Sequence, residues 1–354
     1  EKLAAVAVPS TIKDLGAKAF LSCDILSDVT LPEGLKEIKE GTFNKCPKLA
    51  AINIPSTVES IGTEAFLECS ALTSVELPVS LKKMGISVFA KSGIATITVA
   101  PENEFFSVKD GVLYSMKYIT DEGEVLDKPY HLVYAAPMTG KSEVVVEDGC
   151  LGVNGGAFWG SKVSKVTVPE SLIAFDDFAF CQSSLSDINL TDNVLFIGEQ
   201  AFAATMLTKV VVPSQVTFIN DGAFAGCTQL QKVTLPASVT MIYNHAFHNC
   251  TNIREFYCLG ETAPEIDDVW ETYDSPFFGI STSTPLYVPL GSSDSYKTNG
   301  WNEYFKIEEI DITAIGSMQN AESRMLNYYN LNGQRVSADH KGLVIKNGKV
   351  MIKK

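Results

Sequence analysis

Phenylalanine recurs in this chain with a fixed phase, and that period constrains the fold more than any other feature. Phe20, Phe43, Phe66 and Phe89 stand 23 residues apart, and Phe158, Phe180, Phe202, Phe224 and Phe247 resume the phase in steps of 22, 22, 22 and 23. Prolines keep time at Pro9, Pro32, Pro55, Pro78 and Pro101, also 23 apart. A period of this length marks a repeat architecture, in which a unit that cannot bury its own apolar face is stabilised by stacking on its neighbours. The usual inference from 354 residues to two or three domains does not apply to such a chain, which grows by adding repeats.

One clean unit runs from Pro55 to Leu77. Val75 and Leu77 alternate with Ser74 and Glu76, the period-two pattern of a half-buried strand. Val58 and Ile61 anchor a second extended piece closed by Gly62, and the proline after each first strand, which has no N–H to donate, marks that strand's end. Stacked coils should align valine on valine and phenylalanine on phenylalanine. With an inter-strand rise of about 4.8 Å, the regular coils make a rod on the order of 40 Å long.

The two repeat lengths have a local correlate. After Phe20, Phe43, Phe66, Phe224 and Phe247 the next apolar strand anchor comes six residues on, with a cysteine at the third. After Phe158, Phe180 and Phe202 it comes five residues on without that cysteine, and Phe89, followed by Ser92, has an equally short turn. The cysteine is therefore expected to point inward and fill the wider turn. Five of the eight cysteines (Cys23, Cys46, Cys69, Cys227, Cys250) hold this position, Cys150 and Cys258 take inward strand slots, and Cys181 lies off the pattern. With no CxxC pair, they read as buried thiols. Disulfides or a metal site are the competing reading, because stacking brings Cys23, Cys46 and Cys69 close together.

Little else suggests chemistry. His245 and His248 lie three apart, but a zinc site needs further ligands, and neighbouring Phe247 and Cys250 are already assigned inward, so the histidines are expected to decorate a turn. His131 and His340 have no acid or nucleophile grouped with them, and GxSxG, HExxH and phosphate-loop patterns are missing. The sequence predicts no catalytic residue, no cofactor and no metal. A formal net charge of −14 repels nucleic acid and anionic lipid. No stretch approaches the roughly 20 apolar residues of a membrane helix. Glu1–Val6 falls in mid-repeat, so the sequence is expected to begin inside a longer precursor.

Residues 1–258 are read as the solenoid proper. Between Phe89 and Phe158 the repeat mark is absent for 69 residues, and an insertion is expected at about 101–149. Its Asp110-Gly111 turn between apolar runs signals a β-hairpin, with His131–Tyr134 as a partner strand and Thr120–Glu124 as a loop. Two readings stay open: a widened coil with a protruding ribbon, or a projection that grips a ligand. Residues 259–310 read as degenerate repeats and a cap. There Ser275-Pro276-Phe277-Phe278 is a decayed phenylalanine turn, Leu286–Pro289 and Ile307–Ile310 are late rungs, and Trp270 and Trp301 cover the end. Residues 311–354, with Asn-Gly steps between alternating apolar residues, read as a small antiparallel β tail.

The unit Pro-Ser-x-Val-x-x-Ile-Gly-x-x-Ala-Phe-x-x-Cys-x-x-Leu-x-x-Val-x-Leu resembles the BspA-like class of leucine-rich repeats, from about Leu3 to Ile310. That resemblance implies a right-handed, mostly β solenoid with short helical turns, carrying an inserted β-hairpin and a small C-terminal β segment. It also implies a surface-exposed or secreted bacterial protein, in some members an adhesin. The tail, through Tyr329–Val336 and Lys341-Gly342-Leu343, is similar to the C-terminal sorting segments of secreted Bacteroidetes proteins.

Outward positions of the first strand form two rows. One includes Lys165, Asp187, Lys209, Lys232 and Glu255; the other includes Thr167, Asn189, Val211, Thr234 and Tyr257. The bland reading is β propensity and cross-strand pairing. The functional reading places a protein-binding face at Lys165, Lys209, Lys232, Glu255 and Tyr257. The function expected is therefore a non-enzymatic, monomeric surface module that binds host-matrix or bacterial surface proteins. Glycan binding is the alternative, with Tyr257, Trp159 and Trp301 as the candidate sugar platforms.

Overall fold

The computed structural model describes residues 3–119, 125–127, 132–135, 138–267 and 275–311, together with 328–329, 335–336, 342–346 and 349–353 in the tail. Each repeat forms one coil of a β-solenoid, and the coils are tied by three ladders. In the first ladder Ala5–Ala7 pairs parallel with Asp28–Thr30, and Ser74–Leu77 with Thr96–Val99. Glu143–Val145, Lys165–Thr167 and Asp187–Ile188 form a three-stranded sheet. Lys209–Val211, Lys232–Leu235, Glu255–Cys258, Pro285–Pro289 and Lys306–Ile310 form a five-stranded one. The repeat period sets the register, so inward residues align in columns: Val75 on Ile97, Val144 on Val166 and Ile188, and Val210 on Val233, Phe256, Leu286 and Ile307. The second ladder consists of two-residue strands such as Glu37–Ile38, Ser60–Ile61 and Lys83–Met84. Gly62 follows one of them because the coils approach too closely for a side chain: a Cβ there would lie 2.4 Å from the Glu40 backbone nitrogen.

The phenylalanine segments form the third ladder, and each is a turn. Residues two before and two after each phenylalanine are left-handed, as at Glu64 and Glu68 (φ 56° and 60°) around Phe66 and at Gln200 and Ala204 (51° and 53°) around Phe202. This alternation points every second N–H at the next coil. Glu64, Phe66 and Glu68 donate to Ile86, Val88 and Ala90 at 2.9–3.0 Å. Stacking of the rings follows. Phe20, Phe43, Phe66 and Phe89 lie 5.4–5.7 Å apart with planes within 15°. Phe180, Phe202, Phe224 and Phe247 lie 5.4–5.5 Å apart with planes within 6°.

The cysteines of the long turns are buried, and they do more than fill space. The thiols of Cys46, Cys69, Cys227 and Cys250 donate to the carbonyls of Phe20, Phe43, Phe202 and Phe224, each at 3.1 Å. In short turns a serine replaces this contact: the hydroxyls of Ser92, Ser161 and Ser183 accept the N–H two residues on, at 3.3, 3.0 and 3.4 Å. That tighter local turn closes the coil with one residue fewer. All eight cysteines are free thiols and buried.

The second strand of the insertion's hairpin is built into the core. Phe106–Lys109 and Val112–Ser115 form the expected hairpin, and Leu132–Ala135 pairs antiparallel with its second strand and parallel with Gly152–Val153. Val112–Ser115 is buried on both faces. Val112 and Tyr114 belong to the C-terminal core and Leu113 to the N-terminal core, so the hairpin divides the interior in two. Asn103 anchors it: its amide donates to the carbonyls of Pro78, Val79 and Leu81 at 2.7, 3.3 and 3.0 Å and accepts the N–H groups of Phe105 and Phe106 at 2.8 Å. What extends from this wall is the short ribbon Lys117–Ile119 with Val125–Asp127; the Thr120–Glu124 loop and His131 lie outside the described residues. The turn ladder admits no extra coil, since Ser87 and Lys91 donate directly to Gly155 and Trp159 at 2.8 and 2.9 Å.

At the C-terminal end Phe247 stacks on Phe277 at 6.2 Å, and Lys306–Ile310 is the last rung. Trp301 is fully buried, with its indole N–H donating to Pro264 at 3.0 Å, while the Tyr296 hydroxyl donates to Gly260 at 2.7 Å. Trp270 and His340 lie outside the described residues. The tail contains a four-stranded antiparallel sheet built from Tyr328–Tyr329, Arg335–Val336, Gly342–Lys346 and Lys349–Lys353.

Candidate binding surface

The first-strand residues divide between two sheets. Lys165 is exposed on the three-stranded sheet beside Asp187. Lys209, Lys232, Glu255 and Tyr257 lie on the five-stranded one, where Lys209 aligns with Lys232, Lys232 with Glu255, and Thr234 with Tyr257. Four of the five expected residues therefore share one sheet. The Lys232 ammonium lies 4.8 Å from the Tyr257 ring centroid and 3.8 Å from the Glu255 carboxylate, and the Tyr257 hydroxyl donates to Glu255 at 3.1 Å.

Sequence reasoning missed the continuation of this row. Tyr287 stands in register with Tyr257, and the two rings stack at 4.7 Å and 28°. Glu308 aligns with Tyr287 in turn and pairs with Lys306 at 2.7 Å. The Leu286–Pro289 strand was recognisable from its sequence, so extending the outward row by one more coil was the available signal. Burial first, and then the Glu255 charge, pushes the Tyr257 phenol up to about 12, and burial raises Tyr287 as well. Both are therefore neutral hydroxyls at physiological pH. The Lys306 ammonium is raised by its hydrogen bond to Glu308.

None of the three aromatic residues considered as sugar platforms presents an open ring face. Lys232 and Tyr287 flank Tyr257, Trp159 stacks on Phe178 at 5.1 Å with Lys91 5.9 Å from its ring, and Trp301 is inside the cap. His245 reaches Asp221 at 3.4 Å and His248 stacks on Phe278 at 4.9 Å. Among the described residues no three His, Cys, Asp or Glu side chains converge as a metal site. A groove of about 700 Å³ runs between Thr96–Val99 and the hairpin, lined by Ile97, Val99, Phe106, Val108 and Met116, with a Lys117–Glu104 ion pair at 2.7 Å on its wall. The Lys117 ammonium holds the Glu104 carboxyl below its ordinary range. Such a groove offers apolar contact and one ion pair, not an acid–base couple.

Stacked phenylalanine turns and outward-facing parallel ladders define a repeat solenoid. The family model of the BspA type leucine rich repeat region matches six copies over residues 1–119 and 143–268, and the chain belongs to that family. A leucine-rich cell surface protein from Faecalibacterium prausnitzii A2-165 shares 27% identity over 70% of this chain and 69% of its own, with a TM-score of 0.59. The pneumococcal vaccine antigen PcpA (19% identity, 87% and 80% coverage, TM-score 0.63) has the same fold. So does a leucine-rich repeat protein from Eubacterium ventriosum ATCC 27560 (20%, 78% and 83%, 0.55). Comparison with curated proteins gives no match. No helix among the described residues is long and apolar enough to cross a membrane.

Proposed function

We propose that this chain is a non-enzymatic protein-binding module, displayed on or released from a bacterial cell, that adheres to host-matrix or bacterial surface proteins. The observation that carries the reading is the outer face of the C-terminal sheet. There the stacked rings of Tyr257 and Tyr287 lie among Lys232, Glu255, Lys306 and Glu308. Tyrosines held by neighbours lose little entropy on binding and serve as anchors, while the surrounding charges select the partner and its orientation. Lys165 and Lys209 extend the positive side of this face. Similarity to a cell surface protein supports the location. Covered ring faces weigh against sugar stacking, which needs an open one.

The test is binding of the whole chain to immobilised matrix and bacterial surface proteins. Against a partner so found, Tyr257→Ala is expected to cost about 2 kcal/mol, the scale of an interface anchor. Lys209→Glu with Lys232→Glu is expected to slow association and weaken its salt dependence. Unchanged binding by both variants would move the site elsewhere.

A further inference from the structure

The outer face of the second ladder changes character along the molecule. In the N-terminal half its two exposed rows are charged. Lys36, Glu59 and Lys82 form one row, with Glu59 bridged to both lysines at 2.6 and 2.9 Å, and Glu37, Ser60 and Lys83 form the other. Beyond the wall the same coil positions become apolar at Ile173, Leu195, Phe196 and Phe218, with Thr217 and Thr240 continuing the first row. Ile173, Leu195, Phe196 and Phe218 are 39%, 47%, 45% and 46% exposed. They lie on successive coils: Leu195 donates its N–H to Ile173 at 2.9 Å, Ala174 is in register with Phe196, and Phe218 is in register with Met241. Scattered exposed apolar residues are ordinary, but an apolar stripe over adjacent coils where the same fold elsewhere places ion pairs is not.

The rim of the stripe is acidic. Glu170 and Asp192 lie on the turn before the strands, and Asp177 and Glu199 on the turn after them. Asp177 accepts the Glu199 N–H at 2.8 Å and Asp192 accepts the Ser214 hydroxyl at 3.4 Å, and among the described residues no Lys or Arg reaches any of the four. From Lys165 to Lys209 the chain contains no intervening Lys or Arg.

We infer that this stripe is a second binding surface, separate from the tyrosine face, whose occupant is a cationic amphipathic polypeptide segment. Its apolar side chains cover Leu195, Phe196 and Phe218 while its Lys or Arg residues meet the carboxylates on both rims. Charge complementarity selects this occupant. A second copy of the chain would set acidic rim against acidic rim, and an anionic lipid surface would be repelled.

The probe is a synthetic peptide of alternating leucine and lysine, with a leucine–glutamate peptide of equal length as control, titrated against the full chain. Saturable binding of the lysine peptide alone is expected. Phe196→Ser with Phe218→Ser, both at exposed positions, should weaken it at least tenfold while leaving thermal unfolding in place. Glu170→Lys with Glu199→Lys should weaken it similarly. Lys209→Glu with Lys232→Glu should leave it unchanged, which separates this surface from the tyrosine face. The inference is overturned by lack of saturable binding, by equal binding of the glutamate peptide, or by full affinity in the phenylalanine variant. It is also overturned if light scattering shows a dimer that the phenylalanine variant abolishes.

Discussion

Removing one ring from the middle of the phenylalanine column tests the packing on which the whole solenoid depends. Phe202 is fully buried, stacked at 5.4 Å on Phe180 and 5.5 Å on Phe224, with Phe175 edge-on at 5.2 Å. Burying a phenylalanine side chain is worth roughly 1.5–3 kcal/mol, and each aromatic contact adds about 0.5–1.5. Collapse cannot recover much of this loss. The neighbouring turns are held at coil spacing by the hydrogen bonds from Phe180 to Ala201 (2.7 Å) and from Phe202 to Ala223 (2.9 Å). Phe202→Ala should therefore cost about 3–5 kcal/mol. Urea unfolding followed by tryptophan fluorescence suits the measurement, because Trp159 and Trp301 lie on the C-terminal side of the wall with Phe202. Phe66→Ala, in the other core, should lower the far-UV transition by a similar amount. A loss below about 1 kcal/mol at Phe202 would refute the column as a principal source of stability.

Glu59, bridged by Lys36 and Lys82, has its carboxyl held down to about 2. Its folded value lies below the unfolded one, so its contribution is present above the ordinary carboxylate range and lost as pH falls toward 2. NMR titration at low salt should show the depression, and Lys36→Gln with Lys82→Gln should return the group toward about 4.3. All eight cysteines are buried, and burial pushes the Cys46 and Cys69 thiols up to about 11 and about 12, so Cys46 and Cys69 should not react with a thiol reagent at pH 8 until the chain unfolds. Rapid labelling of the native protein would contradict that packing. Asn103→Ala strips hydrogen bonds from three carbonyls and two N–H groups at the base of the wall, and should cost about 2–3 kcal/mol by thermal or chemical unfolding.

What could be read from the sequence was whatever repeats once per coil with the same chemistry. Phenylalanine, the inward valine and leucine, and the turn cysteine each recur as one residue type, so their columns were visible as spacing. The left-handed pairs were not, because Lys, Glu, Gln, Ala, His, Asn and Gly all occupy them; Gly156 and Gly160 around Phe158, and Gly222 and Gly226 around Phe224, were the available hint. The wall was hidden for a related reason. Asp110-Gly111 announced a hairpin, but Val112-Leu113-Tyr114 is apolar on both faces, and a strand without alternation does not say which side is outside. Of the proposed binding surface, Lys232 and Glu255 were legible in one outward row and Tyr257 in the other, whereas Tyr287 lay beyond the regular repeats. The apolar stripe sits on a strand too short to show a period, and only comparison of equivalent coil positions brings it out.

The insertion is unequal around the circumference. It adds nothing to the phenylalanine turns, one strand to the first ladder at Glu143–Val145, and three strands to the sheet that contains Gly152–Val153. The turn column therefore runs unbroken past the hairpin, while the interior is divided into two apolar cores with no residue in common. A repeat gained or lost in one core would leave the side-chain packing of the other unchanged.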